Sequence, residues 1–495
     1  MTRKLLIFFV LAAVLPLASC SGLNHGSGGC TTNCGGNASV TVTVFDTPPT
    51  GVTVLSFSLP IVGMSLTPSS GTPVSIYSPT SVVPTELTRL ETDSAALVTA
   101  ATVPVGSYTA MSVTIGATSG VFVNASKSTI TWSGGSCSPG AVCNLPTGAA
   151  TTVSIPLSLT LSSNQNQWIG LDVNLNNAIV TTNGTAIAVD FTQASTFAAT
   201  TTTRTGLPSG AADMIEDFIG TVTAISSSSI TVQSGMSGKS ITAAVNSSTA
   251  IDVAPTNYTN CNPVSGTPVS CLVTGSVVSM DAVLSSSGVF TATEIDLLDA
   301  AATDEIEGVI YPTTTPGVVG LILADKISKS GNAVLAASTT TYGTGIFLTA
   351  SSNIGYNIDS KTLTTAPGFT PVGFSGSGDL LAGQMIRAQV TGVTSGSNGL
   401  SATATNVLLR WSRISATVNL VAGSSFTMTN IPAYISALNT SLSLTPQVYT
   451  YSPGTQFDGV TGTTDSNFQN ASVAIRALYI NSNAPAFQAA KVRVP

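Results

Sequence analysis

Cysteine is the residue type with the most chemistry to offer in this chain, and its spacing sorts that chemistry. There are seven cysteines and one histidine in 495 residues. Cys20 stands alone, directly after Leu17-Ala18-Ser19. The other six fall into close pairs: Cys30/Cys34, Cys137/Cys143 and Cys261/Cys271. Local pairing closes the smallest loops and is the expected disulfide connectivity. Such bonds require an oxidising compartment. Loops this short gain modest entropy from closure, so the bonds would pin loops rather than hold cores. Zinc binding is the rival use, but it wants Cys-x-x-Cys spacing or several histidines, and neither is present.

The remaining candidate chemistry is thin. A Ser-His-Asp or Cys-His nucleophile needs a histidine inside a fold. The only one, His25, lies in the Gly/Ser/Asn-rich stretch 21–38. No glycine-rich phosphate loop occurs. A Ser-Lys pair arises by chance in any serine-rich chain. The densest acidic run is Glu294, Asp296, Asp299, Asp304, Glu305 and Glu307. Its carboxylates could hold calcium, or it could be a solvated linker, and its spacing matches no calcium loop. A glycosidase would need two facing carboxylates, and nothing in the sequence marks such a pair. Of the three tryptophans, Trp132, Trp168 and Trp411, Trp168 falls in phase with Asp172 and Asn174. An exposed ring there would suit stacking on sugars, while core packing is the ordinary role. No metal, cofactor or catalytic residue is assigned.

Arg3 and Lys4 precede a short apolar run, Leu5 to Leu15, and small residues then lead into Cys20. That is the layout of a secretory signal over residues 1–19, too short to span a bilayer as a stable helix. The ending Leu17-Ala18-Ser19-Cys20 resembles the lipobox of bacterial lipoproteins. The resemblance implies lipidation of Cys20 after cleavage before it, and attachment to a membrane through several acyl chains, which anchor stably where one would not. Ser21 in place of aspartate implies forwarding to the outer membrane, on its periplasmic or surface face. With Cys20 lipidated, the six remaining cysteines pair without remainder.

Composition narrows the partners. Loss of residues 1–19 removes Arg3 and Lys4, leaving 13 basic and 22 acidic side chains, a net charge of −9. So acidic a chain has no footprint for nucleic acid. Charged residues make up only 7% of the chain, so Ser, Thr, Gly and Asn do the solvating. No later apolar run reaches transmembrane length. A hydrophobic content of 43% argues against disorder.

The elements that would carry these residues are strands. Residues 20–38 read as a tether. From Ser39, Val40, Val42 and Val44 alternate with threonines, the signature of a strand with one buried face. Ile155, Leu157, Leu159 and Leu161 alternate with Ser, Pro and Thr in the cleanest strand of the chain. The stretch 86–97, ELTRLETDSAAL, is the best helical candidate. Many short strands between Gly, Pro and Asn turns predict an antiparallel β-sandwich over 39–195. Phe45-Asp46-Thr47-Pro48, Leu87-Thr88-Arg89-Leu90 and Val103-Pro104-Val105-Gly106-Ser107-Tyr108-Thr109 resemble a domain of unknown function found at the N-terminus of many bacterial lipoproteins. The resemblance implies a β-sandwich and no activity. Pro104, Gly106 and Tyr108 are also similar to an element of transthyretin-like sandwiches, in which the tyrosine packs at the start of a strand.

Residues 196–213 read as a Thr/Ala/Gly/Pro linker. A diverged repeat follows over 214–300, 301–410 and 411–495. Its copies open at Asp217, Glu305 and Arg413, spaced by 88 and 108 residues, with Gly220, Gly308 and Ala416 in matching places. Each copy closes on a similar phrase, at Phe290, Leu400 and Phe487. These copies resemble small all-β repeat domains of unknown function from exported bacterial proteins, which implies five- or six-stranded barrels. The closing phrase is expected to return beside the opening strand and protect its edge. The fold class is therefore all-β, a sandwich followed by two or three barrel-like repeats. The expected role is a lipid-anchored, non-catalytic envelope or surface protein, a scaffold or adhesion module for a glycan or another envelope protein. The alternative is a carboxylate-based hydrolase acting on an extracellular polysaccharide, with two carboxylates in one concave pocket.

Overall fold

The computed structural model describes residues 36–494 apart from 50–51, 204–213, 254–271, 285–288, 300–302, 312, 314, 316, 359–373, 397–398, 433, 436–441, 444, 452–453 and 481–485. Nearly all of it is β. In the N-terminal unit the strand Asn37–Thr47 runs parallel to Asn166–Asn174 and antiparallel to Ala95–Pro104. Facing that sheet, Thr151–Leu161, Gly106–Ile115, Ile61–Pro68 and Val74–Tyr77 form an antiparallel sheet. Alternation does the work expected of it. Val40, Val42 and Val44 from one sheet meet Met111, Val113, Ile155 and Leu157 from the other in one continuous core. Tyr108 is buried at the start of its strand and its hydroxyl donates to the Pro104 carbonyl at 2.8 Å.

Two local expectations change. Phe197–Thr203 is not linker: it pairs antiparallel with Asn166–Asn174, so the sandwich extends past residue 195. Threonine is β-branched, and a threonine run beside an unpaired edge takes strand geometry readily. Residues 86–97 form no α-helix. Leu87–Leu90 makes a short 3-10 turn and a strand starts at Ala95. Thr88, Thr92, Asp93 and Ser94 favour turns, and only Leu87 and Leu90 of the turn are buried.

The three repeats share one strand path. In the first, the order is Ser240–Ala244, Ser229–Gln233, Met214–Ile225, Val277–Leu284 and Phe290–Asp299. The third strand closes onto the fifth in parallel, Ala243 opposite Phe290. The last repeat does the same, with Val448 opposite Phe487. The middle repeat is a closed barrel of that path. Counting strands along each copy, the order is one-two-three-five-four and back to one. That is a five-stranded Greek-key barrel of the OB type. The closing phrase therefore lies beside the third strand, and the fourth strand, not the closing one, covers the first. In the outer copies a short extra strand, Ala250–Val253 or Gln456–Asp458, continues the parallel pairing. In the middle copy one long strand, Gly345–Ile358, serves both roles.

The opening glycines have a steric cause. A Cβ on Gly220 would stand 2.3 Å from the Gln233 carbonyl oxygen, and one on Gly308 2.1 Å from that of Ile322. Both approach the second strand of their own barrel, in corresponding positions. Ala416 takes that place in the last copy, so the second strand there stands clear of a methyl group.

Candidate functional site: a buried ion network and the cavity beside it

The acidic run of the sequence is neither a solvated linker nor one cluster. Asp304 accepts hydrogen bonds from the Lys329 and Ser330 backbone N–H groups at 2.8 and 2.9 Å, and so ties down a turn. Glu305 and Glu307 share one face of the opening strand of the middle barrel, and both are buried. Ile306 and Ile310 fill the barrel core from the other face. Arg387, directly across the ladder from Glu307, meets Glu305 through Nε and Glu307 through Nη1 at 3.5 Å. Burial opposes the Arg387 charge, but Glu305, Glu307 and Asp325 outweigh it and hold its pKa above the ordinary value. Among the described residues no group of three or more His, Cys, Asp or Glu is placed to hold a metal ion.

The centre of the network is Asp217, at the start of the first barrel. Its backbone is left-handed, φ +53°, at a bulge in the opening strand. Aspartate tolerates this conformation better than most residues. Its N–H donates to Asp281 Oδ1 at 2.7 Å. Arg476 of the last barrel approaches with Nε at 2.9 Å and Nη2 at 2.8 Å. Arg410 and Arg413, on either side of Trp411, add Nη2 contacts at 3.2 and 3.3 Å. Arg89 of the sandwich unit donates to the Asp217 carbonyl at 2.7 Å. One buried residue thus joins side chains from all four units. Of the eight arginines, Arg89, Arg410, Arg413, Arg476 and Arg493 reach across between units, and Arg387 pairs with Glu305 and Glu307 within the middle barrel. The sequence hid this because the partners lie far apart: Arg476 is 259 positions from Asp217. The one local signal was the Glu-Ile-Glu alternation, which reads as a half-exposed strand.

Beside the network lies a cavity of about 680 Å³ between the sandwich unit and the last barrel. That falls within the range of small-ligand sites. Val54, Leu55, Val123, Ile414 and Tyr434 supply apolar walls. Asp46, Glu91, Arg89, Arg413, Ser412 and Ser415 supply the polar ones. The 3-10 turn at 87–90 delivers Arg89 and Glu91; the end of the first strand delivers Asp46. Both arginines are engaged, Arg413 with Asp93 and Asp217, Arg89 with Glu307 at 3.8 Å. Glu91 accepts from Ser415 Oγ at 2.7 Å. Burial raises its pKa to about 7, against the pull of that hydrogen bond and of Arg413. Asp46 is 1% exposed and neither oxygen has a well-formed hydrogen bond. Burial, then Glu91, then Asp172 push its pKa well up; Arg493 and the Leu175 N–H oppose them weakly. Sequence reasoning quoted Asp46 and Arg89 only as family landmarks and missed that they line one cavity.

Cys137 and Cys143 form the expected disulfide, with Cα atoms 5.9 Å apart. Cys20, Cys30, Cys34, Cys261 and Cys271, with His25, lie outside the described residues. Trp168 is buried, not presented to solvent, and its Nε1–H donates to Thr43 Oγ1 at 2.7 Å. Trp411 is buried under the Arg476 guanidinium, 5.5 Å from its ring centre. Trp132 packs edge-on against Phe122.

Two family models match this chain. Residues 37–192 match a domain of unknown function, DUF4382, and residues 219–296 match another, DUF5666. No curated protein matches. Among solved structures, drosophila Unr CSD456 aligns at 10% identity over 57% of this chain and 97% of its own, with a TM-score of 0.12. A multidomain protein with nucleic acid binding domains from Streptococcus pneumoniae TIGR4 aligns at 8% identity over 57% of this chain and 73% of its own, with a TM-score of 0.11. At such scores neither alignment carries an argument. The chain is thus similar, over most of its first unit and its first barrel, to two domain families of unknown function.

Proposed function

We propose that this is a lipid-anchored envelope protein whose four β units act as one rigid, non-catalytic binding module for a glycan or another envelope protein. The observation that carries the reading is the convergence on Asp217 of arginines from the sandwich unit and the two later barrels. Such a junction holds units in fixed register, which a presenting scaffold needs and flexibly joined repeats lack. Around it, Asp93, Asp217, Glu305 and Glu307 are engaged with buried guanidiniums in structural pairs. The signal-like residues 1–19 and Cys20 supply the membrane attachment in this reading. The test is a glycan array probed with the mature chain, together with a reducing-end assay on every glycan bound. Saturable binding without release of reducing ends is expected.

A second reading has one observation in its favour. Asp46 and Glu91 line the same cavity and both have raised pKa values, as the acid of a carboxylate-based hydrolase would. Release of reducing ends that is lost in Glu91→Gln would replace the binding reading with this one.

A further inference from the structure

We propose that the cavity between the sandwich unit and the last barrel binds a ligand that carries an ammonium group on an apolar body, with Glu91 meeting the ammonium and Asp46 placed behind it. Three features of the site point the same way. The first is Asp46 itself. A carboxylate buried to 1% exposure with no well-formed hydrogen bond is costly unless something compensates it. Here it borders a space large enough to admit a ligand.

The second feature is the electrostatic surroundings of that carboxylate. Its charged neighbours are Glu91, Asp172 and Arg493. Arg493 is the one cation among them, and it is already committed. Its Nη1 donates to the Leu90 and Glu91 carbonyls at 3.4 and 3.2 Å, its Nε faces Asp458, and its guanidinium stacks 4.7 Å over Phe45. Arg89 and Arg413, on the cavity wall, are likewise spent on Glu307, Asp93 and Asp217. With no cation to spare, both acids hold their protons more firmly than exposed carboxylates do, and the charge left unmatched when they ionise is negative. An anionic ligand would meet two acids there, whereas an ammonium would relieve both at once.

The third feature is the rest of the lining. The side chains of Val54, Leu55, Val123, Ile130 and Ile414 present an apolar body with no donors or acceptors to desolvate. Ser415 holds Glu91 by its Oγ, which orients the carboxylate without neutralising it. A metal ion would need more oxygen ligands than these two acids supply, and a fully polar ligand would waste the walls. This proposal does not depend on the lipid anchor or on glycan binding. A chain that ignored every glycan could still bind an alkylammonium.

The experiment compares three probes with the same tail on the mature chain carrying Cys20→Ser, which removes the acylation site. The probes are n-hexylammonium, 1-hexanol and hexanoate, titrated calorimetrically near neutral pH. The ammonium should bind at one site, about tenfold or more tighter than the alcohol, with hexanoate weakest. Asp46→Asn keeps the shape and removes the charge, and it should abolish the preference for ammonium over alcohol. Glu91→Gln, nearer the surface, should do the same and serves as the deciding variant if Asp46→Asn fails to fold. No saturable heat from hexylammonium, equal binding of the alcohol, or an intact preference in the folded variant would each overturn the proposal.

Discussion

Arg413 and Arg476 stand directly opposite each other on paired strands of the last barrel. Like charges in that position repel. Burial and then Arg476 work against the Arg413 charge, but Asp93 and Asp217 outweigh them and hold its pKa above the ordinary value. The pair is tolerable because Asp217, supplied by a different barrel, accepts from both. Neither barrel could leave its half of this arrangement buried alone. The interface between repeats is therefore encoded as a charge deficit on one side and a surplus on the other.

Asp217→Asn keeps the side-chain volume and removes the charge that three guanidiniums share. Breaking a buried ion pair from one side costs about 3–5 kcal/mol, and urea unfolding of the variant should show a loss of that order. Replacing the whole cluster by apolar groups should cost far less, because buried ion pairs contribute little net stability. A loss below about 1 kcal/mol for Asp217→Asn would remove the junction from the account of rigidity.

Acidity should stabilise this protein rather than weaken it over a mildly acid window. Burial raises Glu91 to about 7 and Asp325 to about 6, and raises Asp46 as well. The folded state then holds protons that the unfolded chain has released, so stability falls as pH rises from the ordinary carboxylate range through those folded values. Glu91 faces Ser415, Arg413 and Asp46; Asp325 faces Arg89, Arg387 and Glu307. The surface acids Asp190 and Asp465 have lowered values, and their contribution is lost only at more acid pH. Melting temperature should be higher near about pH 5 than near about pH 8, with a shallower slope in Glu91→Gln. The reverse order would contradict these shifts.

Much of this architecture is legible in the sequence because it is local. Val40, Val42 and Val44 announce their strand, and the matched Gly220 and Gly308 announce the repeat. What stays hidden depends on long-range partners. Glu305-Ile306-Glu307 has the pattern of a strand with one wet face, yet the face is covered by Arg387 from 82 positions away. Thr200 to Thr203 look like linker because threonine solvates as well as it pairs, and only the free edge beside Asn166–Asn174 decides between the two. Asp46 could not be read at all, since nothing near it in sequence shows that a cavity ends there.

Attachment is the next test. Cys20→Ala should move the exported protein from the membrane fraction to the soluble one. Membrane attachment unchanged by the substitution would sink the lipid-anchor part of the proposed function while leaving the cavity untouched.

Peptide mapping without reduction should recover Cys137 joined to Cys143, and the same experiment checks Cys261 with Cys271. Replacing Cys137 and Cys143 together by serine should cost about 2 kcal/mol, since the bond closes a short loop. Free thiols at 261 and 271 in exported material would refute the second pairing.

The repeats give the sharpest steric test. At Gly308 a methyl group would meet the Ile322 carbonyl oxygen at 2.1 Å, and the obstacle is backbone in the neighbouring strand, not a side chain that can rotate away. Gly308→Ala must therefore displace the second strand of a closed barrel, and overpacking of this kind costs about 1–3 kcal/mol. Gly220→Ala meets the Gln233 carbonyl at 2.3 Å and should cost a similar amount. Ala416→Gly, at the matching place in the last barrel, removes no clash. It should lose only the roughly 0.5–1 kcal/mol of added backbone freedom in the unfolded chain. Denaturant unfolding of the three variants tests the equivalence directly. If Gly308→Ala were as mild as Ala416→Gly, the glycine would not be there to admit the second strand, and the steric reading of the shared opening would fail.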